Sequence, residues 1–226
     1  MNSRERILAS VRKNLPRPAV PLPALSEPNG KRVVSALGYK EHFTNLPEVQ
    51  HSPEDTELLS SFQKQLEAMG GRWFTVADAA SVRAKVSELF PDARVVCSAV
   101  PEVPGTRRVE RISDPHELDD VDVGVVRSPL AVAEAGAVWL TQSELVVNAL
   151  GVLAQHLIVL LDPSVVVATL HDAYEQIGLG ASPYGLFMAG PSATGDIEGV
   201  IIHGAQGARS LTVLIVPPQA NGEGVA

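Results

Sequence analysis

The chain is short of the residues on which several chemistries depend. Among 226 residues there is one cysteine, Cys97, so an internal disulfide is excluded, and so is an iron–sulfur cluster held by four thiolates of this chain. Positive charge is missing from the second half: beyond Arg127 the one basic residue is Arg209, and the formal net charge is −8. A surface of that sign repels phosphate backbones, which argues against nucleic acid as a partner. Long hydrophobic runs are absent too. Leu157 to Leu161 and Val165 to Ala168 fall far short of the roughly 20 apolar residues of a membrane span. Residues Asn2 to Leu15 alternate charged with apolar residues and do not read as a signal peptide, so the expected location is the cytoplasm.

What remains is ordinary globular composition, 45% hydrophobic and 19% charged, enough for one substantial core. Ser3 caps an expected helix to Leu15, with Ile7, Leu8, Val11 and Leu15 on one face. Pro16, Pro18, Pro21, Pro23 and Pro28 then forbid regular structure, which makes residues 1–50 a helix followed by an extended linker. Seven of the 18 basic residues lie in the first 32 positions. That arm is either a solvated helix face or a surface that docks on an acidic neighbour or a second copy.

Ser52-Pro53-Glu54 starts a helix that carries Leu58, Leu59, Phe62, Leu66 and Met69 to a stop at Gly70-Gly71. Further segments alternate. Strands are expected at Trp73 to Val76, Arg94 to Ser98, Asp122 to Val126, Ala137 to Thr141, Leu157 to Leu161, Leu186 to Ala189 and Ser210 to Val216. Helices are expected at Asp78 to Leu89, in part of Ser143 to Leu153, and at Thr169 to Ile177. Near-continuous Val, Ile and Leu runs alternating with helices predict an α/β domain over 51–217 with a mainly parallel sheet covered on both faces. The tail 218–226 is expected to be disordered.

Three constellations carry candidate chemistry. The first is Gly190-Pro191-Ser192-Ala193-Thr194-Gly195-Asp196-Ile197-Glu198, followed by His203-Gly204-Ala205-Gln206-Gly207-Ala208-Arg209. Its hydroxyls and carboxylates read as a helix start. Ser192 or Thr194 then caps free N–H groups, or the same groups hold a ligand's carboxylate or phosphate, with Gly190, Gly204 and Gly207 allowing close backbone approach. Asp196 and Glu198 oppose an anion unless neutralised, and Arg209 is the nearby cation, expected to be partly buried against one of them. The second is Glu134-Ala135-Gly136, a turn entering a strand, where Glu134 is either functional or an acceptor of turn N–H groups. This turn and the Gly190 turn are expected at the same end of the sheet. The third is the histidines. His156, His171 and His203 lack metal-ligand spacing, and no metal site is assigned; His156 precedes a buried strand, where its ring needs a partner. Cys97 has no adjacent cation and reads as a core residue. Neither a Rossmann nor a Walker motif occurs.

The order G-P-S-x-T-x-D-I-E, a short gap, G-x-x-G and S-L-x-V resembles the C-terminal signature of the LUD domain, in the lactate utilisation protein C family. Ala133-Glu134-Ala135-Gly136 resembles the family's A-E-x-G turn; Ala193 stands where many members carry Arg or Lys. The resemblance covers about Pro53 to Val216. It implies a three-layer α/β/α fold of the NagB/RpiA/CoA-transferase group. It implies a subunit that supports oxidation of L-lactate to pyruvate beside a cysteine-rich protein and an iron–sulfur protein, with no cofactor in this chain and with the clusters in its partners. In the CoA-transferase branch a similar Glu-x-Gly turn holds the carboxylate nucleophile, so the alternative is a free-standing CoA-transferase or sugar-phosphate isomerase type enzyme using Glu134. The resemblance implies Glu134 as the catalytic candidate. Gly136, Gly190, Ser192, Thr194, Asp196, Glu198, Gly204, Gly207 and Arg209 are the ligand-binding candidates, for a small carboxylate. A homo-oligomer is compatible with either role.

Overall fold

The chain divides into two units, Met1–Gln50 and His51–Ala226. A computed structural model describes residues 55–177, 182–196 and 199–216, and in the first unit Glu5, Ala9 and Lys13, which are helical and exposed. The proline linker, the Ser52 cap, Glu198 and the tail lie outside the described residues.

In the second unit, helix α1 (Asp55–Ala68) buries Leu58, Phe62 and Leu66, four residues apart on one face. It stops where the sequence places glycines: Gly70 takes φ +82°, and the Gly71 N–H donates to the Leu66 carbonyl at 2.9 Å. Strand β1 (Arg72–Thr75) follows. Asp78 then caps helix α2 (Ala79–Leu89), accepting the Ser81 N–H at 2.8 Å, and Val82 and Val86 form its buried face. Next come β2 (Val96–Ser98), β3 (Arg107–Arg108), β4 (Val123–Ser128), β5 (Leu130–Val132) and β6 (Ala137–Thr141). Helices α3 (Gln142–Leu145) and α4 (Leu150–Leu153) lead to β7 (His156–Leu161) and β8 (Val166–Val167). Helix α5 (Leu170–Gln176), β9 (Gly185–Met188), β10 (Ala193–Thr194), β11 (Ile202–His203) and β12 (Ser210–Ile215) complete the order.

Six strands form one sheet in the order β1-β12-β7-β4-β2-β3, and every neighbouring pair is parallel. The central strands bury nearly every residue, as the unbroken apolar runs require of a sheet covered on both faces. Alternation divides the core. Val123, Val125, Ile158, Leu160 and Leu214 meet Val82 and Val86 of α2 on one face. Val126, Leu157, Val159, Leu211 and Val213 meet Phe62 and Leu66 of α1 and Leu145 and Leu150 of α3 and α4 on the other.

That second face carries more than helices. A four-stranded mixed sheet, β8-β5-β6-β9, contributes Ala131, Val138 and Leu140 to the same core, and its outer side is covered by Ala173 of α5. β5 and β8 follow β4 and β7 within a few residues and are again parallel neighbours, so the small sheet grows out of the carboxyl ends of the two central strands. The fold is α/β with a parallel central sheet. The second sheet is what sequence periodicity did not separate from the first.

Candidate functional site

The Glu134 turn and the Gly190 turn do share one end. β6 and β9 are antiparallel with Val138 opposite Met188, which sets the turn before β6 beside the turn after β9. The space there is filled by α1. Gly136 (φ +57°) would place a Cβ 2.2 Å from the Leu66 nitrogen, and Gly190 (φ +72°) would place one 2.1 Å from the Met69 carbonyl oxygen. Both glycines are therefore contacts for a helix backbone. Glu134 is turned to another neighbour: its Oε1 accepts the Leu170 N–H at 2.6 Å, at the first turn of α5, and its own N–H donates to the Ala168 carbonyl at 3.1 Å. A carboxylate there satisfies a free helix-terminal donor and complements the helix dipole.

The expected helix after Gly190 is corrected by the structure. β10 and β11 pair antiparallel, with Ala193 opposite His203 and Thr194 opposite Ile202. The Asp196 N–H donates to Thr194 Oγ1 at 3.3 Å, so the hydroxyl closes a local turn instead of capping a helix. Ser192, Gly204 and Gly207 are brought together: the Ser192 N–H donates to the Ala208 carbonyl and the Gly204 N–H to the Ser192 carbonyl, both at 2.9 Å, while a Cβ on Gly207 would stand 3.1 Å from the Ser192 Cβ. This is a folded strap leading into β12.

The expected pairing of Arg209 is corrected as well. Its side chain is exposed, and no described carboxylate forms an ion pair with it. Its backbone N–H donates to the Gln155 carbonyl at 2.8 Å, which sets Arg209 beside the start of β7. There it lines a cleft of about 540 Å³.

The cleft lies at the amino ends of the parallel strands. Val123, His156 and Ser210, the first residues of β4, β7 and β12, are aligned by the strand register; Val123 and His156 line the cleft together with Phe90 and Asp92 after α2 and with Asp119, Asp120 and Asp122. Ligands in open α/β sheets usually gather at the carboxyl ends. Here β4 and β7 run on from that end into the small sheet, and Arg127 pairs with the mostly buried Glu102 nearby.

His156 is the centre of the cleft's chemistry. Its Nδ1 lies 2.8 Å from Ser210 Oγ, its ring is 4.6 Å from that of Phe90, and its other nitrogen has no protein partner among the described residues. Burial, then the charges of Arg72 and Arg209, hold the imidazole below its ordinary range, while Asp122 pulls the other way. The ring is therefore neutral at pH 7. Asp122 accepts the N–H groups of Arg94 and Val95 at 2.7 and 2.9 Å, and these keep its carboxyl below the usual value. Asp120 is paired with Arg107 of β3. Among the described residues no carboxylate is hydrogen-bonded to the imidazole, so Ser210 and His156 do not make a hydrolytic triad with one of them. Cys97 is fully buried, and burial pushes its thiol up to about 11, far from a thiolate at neutral pH.

Among the described residues no group of three or more His, Cys, Asp or Glu could hold a metal ion, and no helix is long and apolar enough to cross a membrane. Sequence reasoning singled out His156 for needing a partner and Arg209 as a lone cation. It missed Ser210, Phe90 and the aspartates, because only strand register and the end of α2 bring them together.

The LUD domain family model matches residues 104–216. The chain belongs to the LUD domain family. Its fold is similar to the crystal structure of a DUF162 family protein from Deinococcus radiodurans, with a TM-score of 0.57 at 19% identity, over 73% of this chain and 99% of that one. No curated protein matches it in sequence. In this LUD-domain chain the matched region runs from the approach to β3 through β12, so it includes the Glu134 turn, the strap and most of the cleft.

Proposed function

We propose that this LUD-domain protein is a subunit of a lactate utilisation system of the protein C type, supporting oxidation of L-lactate to pyruvate with a cysteine-rich partner and an iron–sulfur partner in the cytoplasm. The observation that carries the reading is the strap itself: of the signature residues, Ser192 and Gly204 are hydrogen-bonded to each other and Gly207 lies against Ser192, at the head of β12 within a chain of this family. Clusters in the partners fit a chain whose one thiol, Cys97, is buried in the core. Glu134, engaged with the α5 N-terminus, supports a subunit role more than covalent catalysis by a free-standing transferase.

The test is reconstitution. The purified chain alone should be colourless, hold no iron and fail to reduce an artificial electron acceptor with lactate, and it should be required for turnover once both partners are added. Full turnover by the partners without it, or lactate oxidation by the isolated chain, overturns the reading.

A further inference from the structure

We infer that β9 is the dimerisation edge of this chain: it pairs antiparallel with β9 of a second copy and joins the two mixed sheets into one continuous sheet. The inference starts from the sheet edges. Folded proteins blunt exposed edge strands with charge or by keeping them short. Three of the edges here are blunted. β3 is Arg107–Arg108, and β8 is the two-residue strand Val166–Val167. β1 carries Arg72 and has the Lys85 ammonium 4.6 Å from the centre of its Phe74 ring. β9, with the sequence Gly-Leu-Phe-Met, has no charge and no proline.

Strand register decides which backbone groups of β9 are open. The Gln142 N–H donates to the Tyr184 carbonyl at 3.4 Å, and hydrogen-bonded residues alternate along an antiparallel pair. Leu186 and Met188 therefore exchange their bonds with Leu140 and Val138. Gly185 and Phe187 turn their N–H and C=O groups away from β6, and these groups have no partner among the described residues. Gly185 is itself exposed.

Such an edge takes an extended strand, and the strand that fits is its own copy. With Gly185 of each copy opposite Phe187 of the other, every outward N–H and C=O is matched, and the two Leu186 residues meet on the two-fold axis. The side chains fit the same register. A Cβ on Gly185 would stand 2.4 Å from the Trp139 indole, so the glycine leaves that indole open to the incoming Phe187 ring. Within one copy Trp139, Phe187 and Tyr174 already form a row, with ring centroids 4.7 and 5.8 Å apart, and Tyr174 at its end is 40% exposed. On the other face, a Cβ on Gly151 of α4 would stand 3.8 Å from Met188 Cε, and the next two residues of that helix, Val152 and Leu153, are exposed. Charge favours a copy as well. No charged residue occurs between Glu175 and Asp196 in a chain of net charge −8, so two acidic subunits meet here through a segment free of charge.

The test follows the mass of the full chain and its backbone exchange over a range of concentrations. Light scattering should give a dimer that dissociates on dilution, and the amide hydrogens of Gly185 and Phe187 should exchange about tenfold faster in the diluted monomer. Leu186→Cys places a thiol on the axis, where the Cβ atoms of directly opposite residues come within about 5.5 Å, so mild oxidation should give a disulfide-linked dimer. Met188→Cys, two residues off the axis, should not, and the chain's own Cys97 is buried. Phe187→Lys should be monomeric. A monomer at every concentration, a dimer whose Gly185 and Phe187 amides exchange as fast as in the monomer, or equal cross-linking by the two cysteine variants overturns the pairing. Protected β9 amides in a monomer mean that a different strand covers the edge, which overturns it too. None of these outcomes depends on the lactate reading.

Discussion

Gly190 and Met69 are in backbone contact: a Cβ on Gly190 would stand 2.1 Å from the Met69 carbonyl oxygen, at φ +72°. The first glycine of the signature thus serves to seat α1. Gly136 does the same one turn earlier, against Leu66. Gly190→Ala and Gly136→Ala should each destabilise the second unit by about 2 kcal/mol or more, since a left-handed backbone and a clash with backbone are both imposed. Urea unfolding monitored by Trp73 and Trp139 fluorescence measures this. An unchanged midpoint for both variants would show that α1 is not locked there.

Glu134 separates structure from catalysis. Glu134→Gln keeps an oxygen that can accept the Leu170 N–H but removes the charge at the α5 N-terminus, so a loss of about 0.3–1 kcal/mol is expected. In the reconstituted system turnover should hold near wild type. A collapse of turnover with an unchanged melting transition would instead give Glu134 a chemical role.

How far the sequence could be read depended on the range of the interactions involved. The α/β class, the Gly70 stop, the helix ending at Leu89 and the buried runs of β4, β7 and β12 are local or periodic, and each was legible. The antiparallel pairing of β10 with β11 was not, because a Thr hydroxyl two residues before an Asp N–H serves a turn and a helix cap with the same bond. The second sheet was hidden for a related reason: β5 and β8 are three and two residues long, too short to show a period. At the cleft, His156 announced an unmet polar need, but its partner Ser210 stands 54 residues away and is supplied by strand register.

The half-buried His156 ties stability to pH. Its folded-state pKa is below its unfolded value of 6.5, so the unfolded chain binds the proton more readily. The contribution is complete above that value and declines as pH falls through 6.5 toward the folded pKa. His116, raised by its exposed partner Asp114, acts in the opposite sense but is screened by solvent. Melting curves from pH 8 to 5.5 should fall less steeply for His156→Gln than for the wild type. Parallel curves would mean that the ring is not held neutral.

Val146 is the strained residue of the second unit. With φ +60° and ψ −52° it is the centre of a γ-turn, closed by the Val147 N–H donating to the Leu145 carbonyl at 2.6 Å. A β-branched side chain in that region costs on the order of 1–3 kcal/mol. The residue is 39% exposed, so burial offsets only part of the strain. The turn lets α3 and α4 place Leu145 and Leu150 on the same sheet face, where both are fully buried. Val146→Gly should therefore stabilise the unit by about 1 kcal/mol in urea unfolding, the strain relieved exceeding the added unfolded-chain entropy. Val146→Ala, which keeps a Cβ at positive φ, should not. If glycine destabilises as much as it does at an ordinary helix position, the γ-turn is not the ground state of this connection.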